Sequence, residues 1–148
     1  MKTKILSLLV AAMIIVNVSF ANDTDNFTAT VQTAFTQQFQ EASNINWIKT
    51  PDYYKVTFDW NGQSLTAFYD ENGKSVSVSR NIQTSELPLF LQTNLSKEYK
   101  GFWISDLFEY TTVDNNKYYV TLENANKKII LESMDNNYWS VFKKSTKE

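Results

Sequence analysis

The segments Asp70-Glu71-Asn72-Gly73 and Asp135-Asn136-Asn137 carry the residue types that could hold a hard cation, because alternating Asp and Asn oxygens begin a calcium loop. A complete loop also needs further oxygen ligands and a distal Glu, and the first segment runs instead into Ser75 and Val76. Both segments therefore read as hairpin turns, which Asp, Asn and Gly favour through local side-chain hydrogen bonds and tolerance of positive φ. Asp59, Glu123 and Glu132 could in principle serve as the paired acid and base of glycoside hydrolysis, but that chemistry requires two carboxyl groups converging on one cleft. Strand alternation puts all three on outward positions, and the spacing singles out no pair. The chain contains neither His nor Cys. It can supply no imidazole base, no thiol nucleophile, no disulfide and no nitrogen or sulfur ligand of the kind zinc and copper favour. The reading is a non-enzyme with no catalytic residue, no metal site and no cofactor.

The elements that would position any site begin after an export signal. Lys2 and Lys4 precede an apolar run from Ile5 to Val16, and Ser19 and Ala21 stand at −3 and −1 of a cleavage point after Ala21. A run of about 12 apolar residues is too short to cross a bilayer, which needs about 20. Residues 1–21 are expected to be removed, leaving one domain over residues 22–148 that is periplasmic or secreted and not inserted in a membrane. The net charge is −2 over 148 residues, and losing Lys2 and Lys4 makes the mature chain more acidic. That argues against nucleic acid, which selects a basic stripe. Lys143, Lys144 and Lys147 read as a solvated tail. Asn26-Phe27-Thr28 and Asn94-Leu95-Ser96 match the glycosylation sequon.

Within the mature chain the same grammar occurs twice, over about 22–81 and 82–148. Phe27, Val31, Phe35, Phe39 and Ala42 recur at helical spacing, as do Leu87, Leu91, Leu95 and Tyr99. The second helix has an N-cap in Thr84 or Ser85, an early and tolerated Pro88, and a left-handed closing residue in Gly101. An offset of 56 carries Phe35, Phe39 and Trp47 onto Leu91, Leu95 and Trp103. Each helix is followed by a hairpin. Asn61-Gly62 fits a type I′ turn pairing Phe58 with Leu65, Val56 with Ala67 and Tyr54 with Tyr69. A turn at Ala125-Asn126 pairs Leu122 with Ile129, Val120 with Leu131 and Tyr118 with Ser133. A further strand follows in each half, Ser75 to Arg80 and Tyr138 to Lys143. For the last, a four-residue loop sends Phe142 to the core, and a three-residue loop with Asn137 left-handed sends Trp139 and Val141 there. The expected fold is α+β, with two helices on one face of an antiparallel sheet of six to eight strands.

The order of Phe35 and Phe39 ahead of Ala42 and Asn46-Trp47, then Tyr54-Lys55-Val56-Thr57-Phe58, Ala67-Phe68-Tyr69-Asp70, Gly73 and Leu87-Pro88, resembles the beta-lactamase-inhibitor-like, PepSY-like family of secreted proteins common in Bacteroidetes. The second half departs from the pattern, with Asn136-Asn137 where the first has Asn72-Gly73. The resemblance implies a tandem helix-plus-sheet fold similar to the beta-lactamase inhibitor protein, whose sheet face clamps a partner enzyme, and it transfers no catalytic residue.

By the hairpin registers, Tyr53, Lys55, Thr57, Asp59, Thr66 and Phe68 point away from the helices in the first half, and Tyr119, Thr121, Glu123, Lys128, Ile130 and Glu132 in the second. Aromatic and aliphatic residues among charges and threonines are the composition of an interface with anchors and a polar rim. Tyr53, Lys55, Phe68, Tyr119 and Ile130 are the expected binding residues, toward an extracytoplasmic protein or peptide, with restraint of an envelope enzyme as one form of that role. The alternative is a carrier or sensor of a small apolar ligand held between helices and sheet. Phe68 is expected to be exposed, so that its truncation weakens binding more than folding.

Overall fold

The computed structural model describes residues 27–147, and the leader and the expected domain start at Asn22 lie outside the described residues. A helix, α1 (Ala29–Gln38), precedes strands β1 (Ser43–Lys49), β2 (Tyr54–Trp60), β3 (Gln63–Tyr69) and β4 (Ser75–Asn81). A 3₁₀ turn (Thr84–Glu86) leads to α2 (Leu89–Glu98), followed by β5 (Trp103–Thr111), β6 (Asn116–Glu123), β7 (Lys127–Ser133) and β8 (Ser140–Thr146). The eight strands form one sheet in sequence order, and each neighbouring pair is antiparallel.

The turns fix the register. Asn61 and Gly62 both take positive φ, 50° and 76°, as a type I′ turn requires, and Phe58 faces Leu65, Val56 faces Ala67 and Tyr54 faces Tyr69. In the second half Leu122 faces Ile129, Val120 faces Leu131 and Tyr118 faces Ser133. The Asp70 carboxylate accepts from the backbone N–H of Asn72 and Lys74, both at 2.9 Å, so this segment is spent on its own turn. Gly73 (φ 78°) closes that turn beneath α1, where a Cβ would meet the Thr30 carbonyl oxygen at 3.1 Å.

The second helix starts later than its capping residues suggest. Pro88 disfavours the helical region for the residue before it, and Leu87 is extended (φ −67°, ψ 151°). Thr84–Glu86 is therefore a separate 3₁₀ turn whose capping box pairs Gln83 with Glu86, and α2 begins after Pro88. The last hairpin also differs in detail. Asn136, not Asn137, is left-handed (φ 66°). Trp139 lies on the helix side and donates from its indole to the Leu91 carbonyl at 3.0 Å, while Phe142 packs with Tyr119 on the other face, at an irregular step in the β7–β8 ladder.

Both helices pack on the same face. Val31, Phe35 and Phe39 close over Tyr54, Val56, Phe58, Leu65, Ala67 and Tyr69. Leu91 and Leu95 close over Leu107, Tyr118, Val120, Leu122, Ile129 and Leu131. Between these two cores runs a polar seam at the β4–β5 ladder. Arg80, cross-strand from Glu109, meets its carboxylate at 3.0 Å and that of Glu86 at 2.8 Å, which ties the sheet to the turn ahead of α2.

Candidate functional site

The face away from the helices is built from alternate residues of the strands, and the ladders lay its side chains out in rows. One row runs Thr57, Thr66, Ser79, Tyr110, Lys117 from β2 to β6. Beside it lies Lys55, Phe68, Ser77. On the other side runs Asn81, Phe108, Tyr119, Glu132, Ser140, and beyond that Asp106, Thr121, Ile130, Lys143. An irregular step in the β5–β6 ladder between Ile104 and Asp106 turns Asp106 onto this face.

All five residues expected to bind lie here, in two groups. Tyr53 and Phe68 meet edge to face with ring centres 5.5 Å apart and Val76 beside them, while Lys55 stands cross-strand from Phe68. Tyr119 belongs to a second cluster, stacked on Phe108 at 5.2 Å and edge-on to Tyr110 at 6.4 Å and Phe142 at 5.8 Å. Ile130 lies cross-strand from Thr121.

The expected exposure of Phe68 is corrected by the structure: it is fully buried (0 %), as are Tyr119 and Ile130 (2 % and 3 %). Phe68 packs with Tyr53 and Val76, and Tyr119 with Phe108, Tyr110 and Phe142, so aromatic residues read as protruding anchors form a packed floor. Lys55, Thr57, Thr66, Lys128 and Glu132 remain half-buried around it, and Lys143 is exposed. Sequence reasoning missed Phe108, Tyr110 and Lys117. The signal was present in the alternation Phe108, Tyr110 along β5 and in Lys117 two residues before Tyr119, which period 2 puts on the same face.

Burial and charge tune the groups on this face. Burial pushes the Tyr119 phenol well above its ordinary range, and its donation to Glu132 at 3.2 Å adds to the cost of ionising it. The Lys55 ammonium is lowered by burial, and the Asp106 carboxyl is raised by burial, opposed by the Leu107 backbone N–H and by Lys128. At the far end Glu123 is held down to about 2, first by its hydrogen bond with Lys147 and then by Ser105. Lys147 reaches Glu123 at 2.6 Å and also sits over the Trp103 ring at 4.8 Å, while Lys128 meets Glu123 at 3.4 Å. No group of three or more metal-ligating side chains occurs among the described residues. The arrangement offers recognition chemistry, with rigid rings as a floor and hydroxyl and ammonium donors around them.

No family model matches the sequence, and no curated protein does. Solved structures do. A BLIP-like protein (beta-lactamase-inhibitor-protein-like) from Bacteroides fragilis superposes with a TM-score of 0.67 at 17% identity, over 84% of this chain and 92% of that one. The chain has the BLIP-like fold. The same likeness extends to a DUF2874 family protein from Bacteroides ovatus, with a TM-score of 0.71 at 16% identity over 82% and 89% of the two chains. It extends also to a protein from Bacteroides eggerthii with a provisional periplasmic designation, with a TM-score of 0.68 at 14% identity over 86% and 90%. Within the BLIP-like fold of this chain, the face just described is the one that neither helix covers. No helix among the described residues is long and apolar enough to cross a membrane.

Proposed function

We propose that the protein is an exported, non-enzymatic binding module that takes up a protein or peptide outside the cytoplasm on the sheet face opposite α1 and α2. The carrying observation is that face itself: two aromatic clusters packed into a floor, surrounded by Lys55, Thr57, Thr66, Lys128 and Glu132. A rigid aromatic patch with a polar rim loses little conformational entropy on binding and suits a folded partner. The BLIP-like fold supports the reading, and the neighbour with a periplasmic designation supports an extracytoplasmic location, with residues 1–21 removed and one domain from about Asn22 onward. Lys55 contacts the partner directly in this reading, and Tyr53, Phe68, Tyr119 and Ile130 set the shape of the surface it meets. Restraint of an envelope enzyme is the form of binding that the fold suggests.

The alternative of an apolar ligand between helices and sheet gains nothing from the clefts at Asn81–Gln83. These are open to solvent, lined largely by polar residues such as Ser64, Thr66, Ser79 and Asp106, and outside the helix–sheet interior. The test is capture from native envelope extract with three immobilised forms: the natural chain, Lys55→Glu combined with Thr66→Arg on the open face, and Gln37→Arg on the exposed side of α1. Face binding predicts a partner retained by the first and third forms and lost by the second. Equal retention by all three refutes it.

A further inference from the structure

The eight-stranded sheet is open, so β1 and β8 each present one edge. An edge strand carries a row of unpaired backbone N–H and C=O groups, which template another strand unless something interrupts them. The two edges are kept differently. In β1 the pairing with β2 shifts between Ser43 and Asn46, Asn44 is left-handed (φ 51°), and its side-chain amide donates to Asp59 at 2.7 Å. A bulge of this kind disrupts the row whatever the incoming strand carries. The β8 ladder is unbroken from Lys143, opposite Ile130, to Thr146, opposite Lys127.

Hydrogen bonds at the β6–β7 turn fix which backbone groups of β8 are turned outward. The Lys127 carbonyl accepts from the Asn124 N–H at 3.0 Å, toward β6, and the Asn126 carbonyl accepts from the Lys147 N–H at 2.9 Å. Bonded and non-bonded pairs alternate along an antiparallel ladder. Lys143 and Ser145 therefore turn their backbone groups to β7, and Lys144 and Thr146 turn theirs outward, where the sheet has no further strand. Cations flank that row on both sides. Lys143 is cross-strand from Ile130 on the open face, Lys144 is cross-strand from Ile129 of the helix-side core, and both lysines are exposed. Neither makes an ion pair among the described residues, and Glu123 nearby is already held by Lys128 and Lys147. Lysines on an edge repel a second copy of that edge, because like charges then fall opposite one another. The same lysines attract a strand with carboxylates at two successive positions, one for each face of the sheet.

We propose that the β8 edge is a docking strand for an extended acidic segment of a partner protein, which adds to the sheet antiparallel to β8. Lys144 and Thr146 exchange backbone hydrogen bonds with the segment, and Lys143 and Lys144 each meet one of its carboxylates across the new ladder. This edge is separate from the aromatic floor, and docking here does not depend on binding there.

The test is amide hydrogen exchange of the isotope-labelled protein followed by NMR. The probes are acetyl-Thr-Val-Glu-Glu-Val-Thr-amide and its counterpart with Lys-Lys in place of Glu-Glu. In the free protein the Lys144 and Thr146 amides should exchange faster than those of Lys143 and Ser145. The acidic peptide should shift the β8 resonances saturably and slow exchange at Lys144 and Thr146, and the basic peptide should do neither. Lys143→Glu combined with Lys144→Glu should weaken the acidic peptide about fivefold or more and admit the basic one. Thr146→Pro removes an outward N–H at an edge position, where proline is tolerated, and should weaken binding severalfold with both lysines in place. No saturable response, an equal response to both peptides, a shift without slowed exchange at Lys144 and Thr146, or unchanged binding in Thr146→Pro overturns the assignment. Protection of these amides that rises with protein concentration in the absence of peptide would put a second copy on the edge and overturns it too. Capture on the open face, kept or lost, alters none of these outcomes.

Discussion

The two halves place a helix over four strands in the same way and fill the space between them differently. Under α1 the core is made of rings. Phe35 meets Phe58 at 4.9 Å and Trp47 at 5.1 Å, and Phe39 meets Phe58 at 4.6 Å and Trp60 at 5.5 Å. Under α2 it is mostly aliphatic, with Leu91, Leu95, Val120, Leu122, Ile129 and Leu131. The difference lies in how each helix is fastened. Rings bring polar handles into the interface: the Tyr69 hydroxyl donates to Gln38 at 2.8 Å, and the Trp60 indole donates to the Gln40 carbonyl at 2.9 Å. In the aliphatic half that work falls to Trp139, outside the strand pairs. Helix position is thus set by the sheet registers and turns, and core composition decides how many neighbours each side chain locks.

Breaking the aromatic core should have the largest effect. Phe58 is 1 % exposed and touches both Phe35 and Phe39, so Phe58→Ala should cost about 3–5 kcal/mol. Val120→Ala in the aliphatic core removes less volume and fewer contacts and should cost roughly 2 kcal/mol. Denaturant midpoints rank the two, and equal losses would remove the distinction between the cores.

Phe68→Ala sharpens the comparison by asking about the opposite face. Fully buried against Tyr53 and Val76, Phe68 should contribute about 1.5–3 kcal/mol, well above the half kcal/mol or so typical of an exposed position. A midpoint indistinguishable from the natural chain would show that the aromatic floor does not stabilise the fold.

The seam tests whether the halves unfold together. Arg80→Ala releases both Glu86 and Glu109 from the link between the sheet and the turn before α2. Trp47 and Trp60 report on the first half and Trp103 and Trp139 on the second, so single-tryptophan versions can follow each half in urea. Their transitions should coincide with Arg80 present and separate in Arg80→Ala.

The smallest effect is a pH dependence in the second half. With Glu123 held down to about 2 in the folded protein by Lys147 and Ser105, its contribution is fully present above the ordinary carboxylate value. It is lost as pH falls from about 4.5 toward 2, because the unfolded chain takes up the proton first. The melting temperature of the natural chain should therefore fall more steeply across that window than that of Glu123→Gln, by a degree or so since the pair is partly solvated. Parallel curves would mean that Lys147 does not hold Glu123 in solution.

Much of the fold was legible because short signals settled long-range geometry. Asn61-Gly62 admits one turn type, that turn admits one pairing, and the pairing assigns every residue of β2 and β3 to a face. The recurrence of Phe35 and Phe39 as Leu91 and Leu95 anticipated where the helices lie, but the same offset failed for the tryptophans: Trp47 packs on Phe35, whereas Trp103 is exposed beside Lys147 and outside the core under α2. What escaped was whatever alternation does not encode. Period 2 puts Phe68 and Tyr119 on the open face but is silent on how tightly neighbours crowd there, and so exposure was misjudged. Pro88 was tolerated by moving the helix start rather than by sitting inside its first turn. The seam at β4–β5 joins segments separated by a whole helix.

In the sheet, every strand lies next to its neighbours in sequence. All of its pairing is between consecutive segments, with α2 the longest interruption, so loop-closure costs stay small and contact order is low for so large a sheet. A chain delivered end first can lay each strand against the one before it, with the growing edge always the newest strand and never waiting for a distant segment. Folding of this kind is vectorial, and the arrangement suits a polypeptide that emerges from a narrow channel already bound to the order in which it will be assembled.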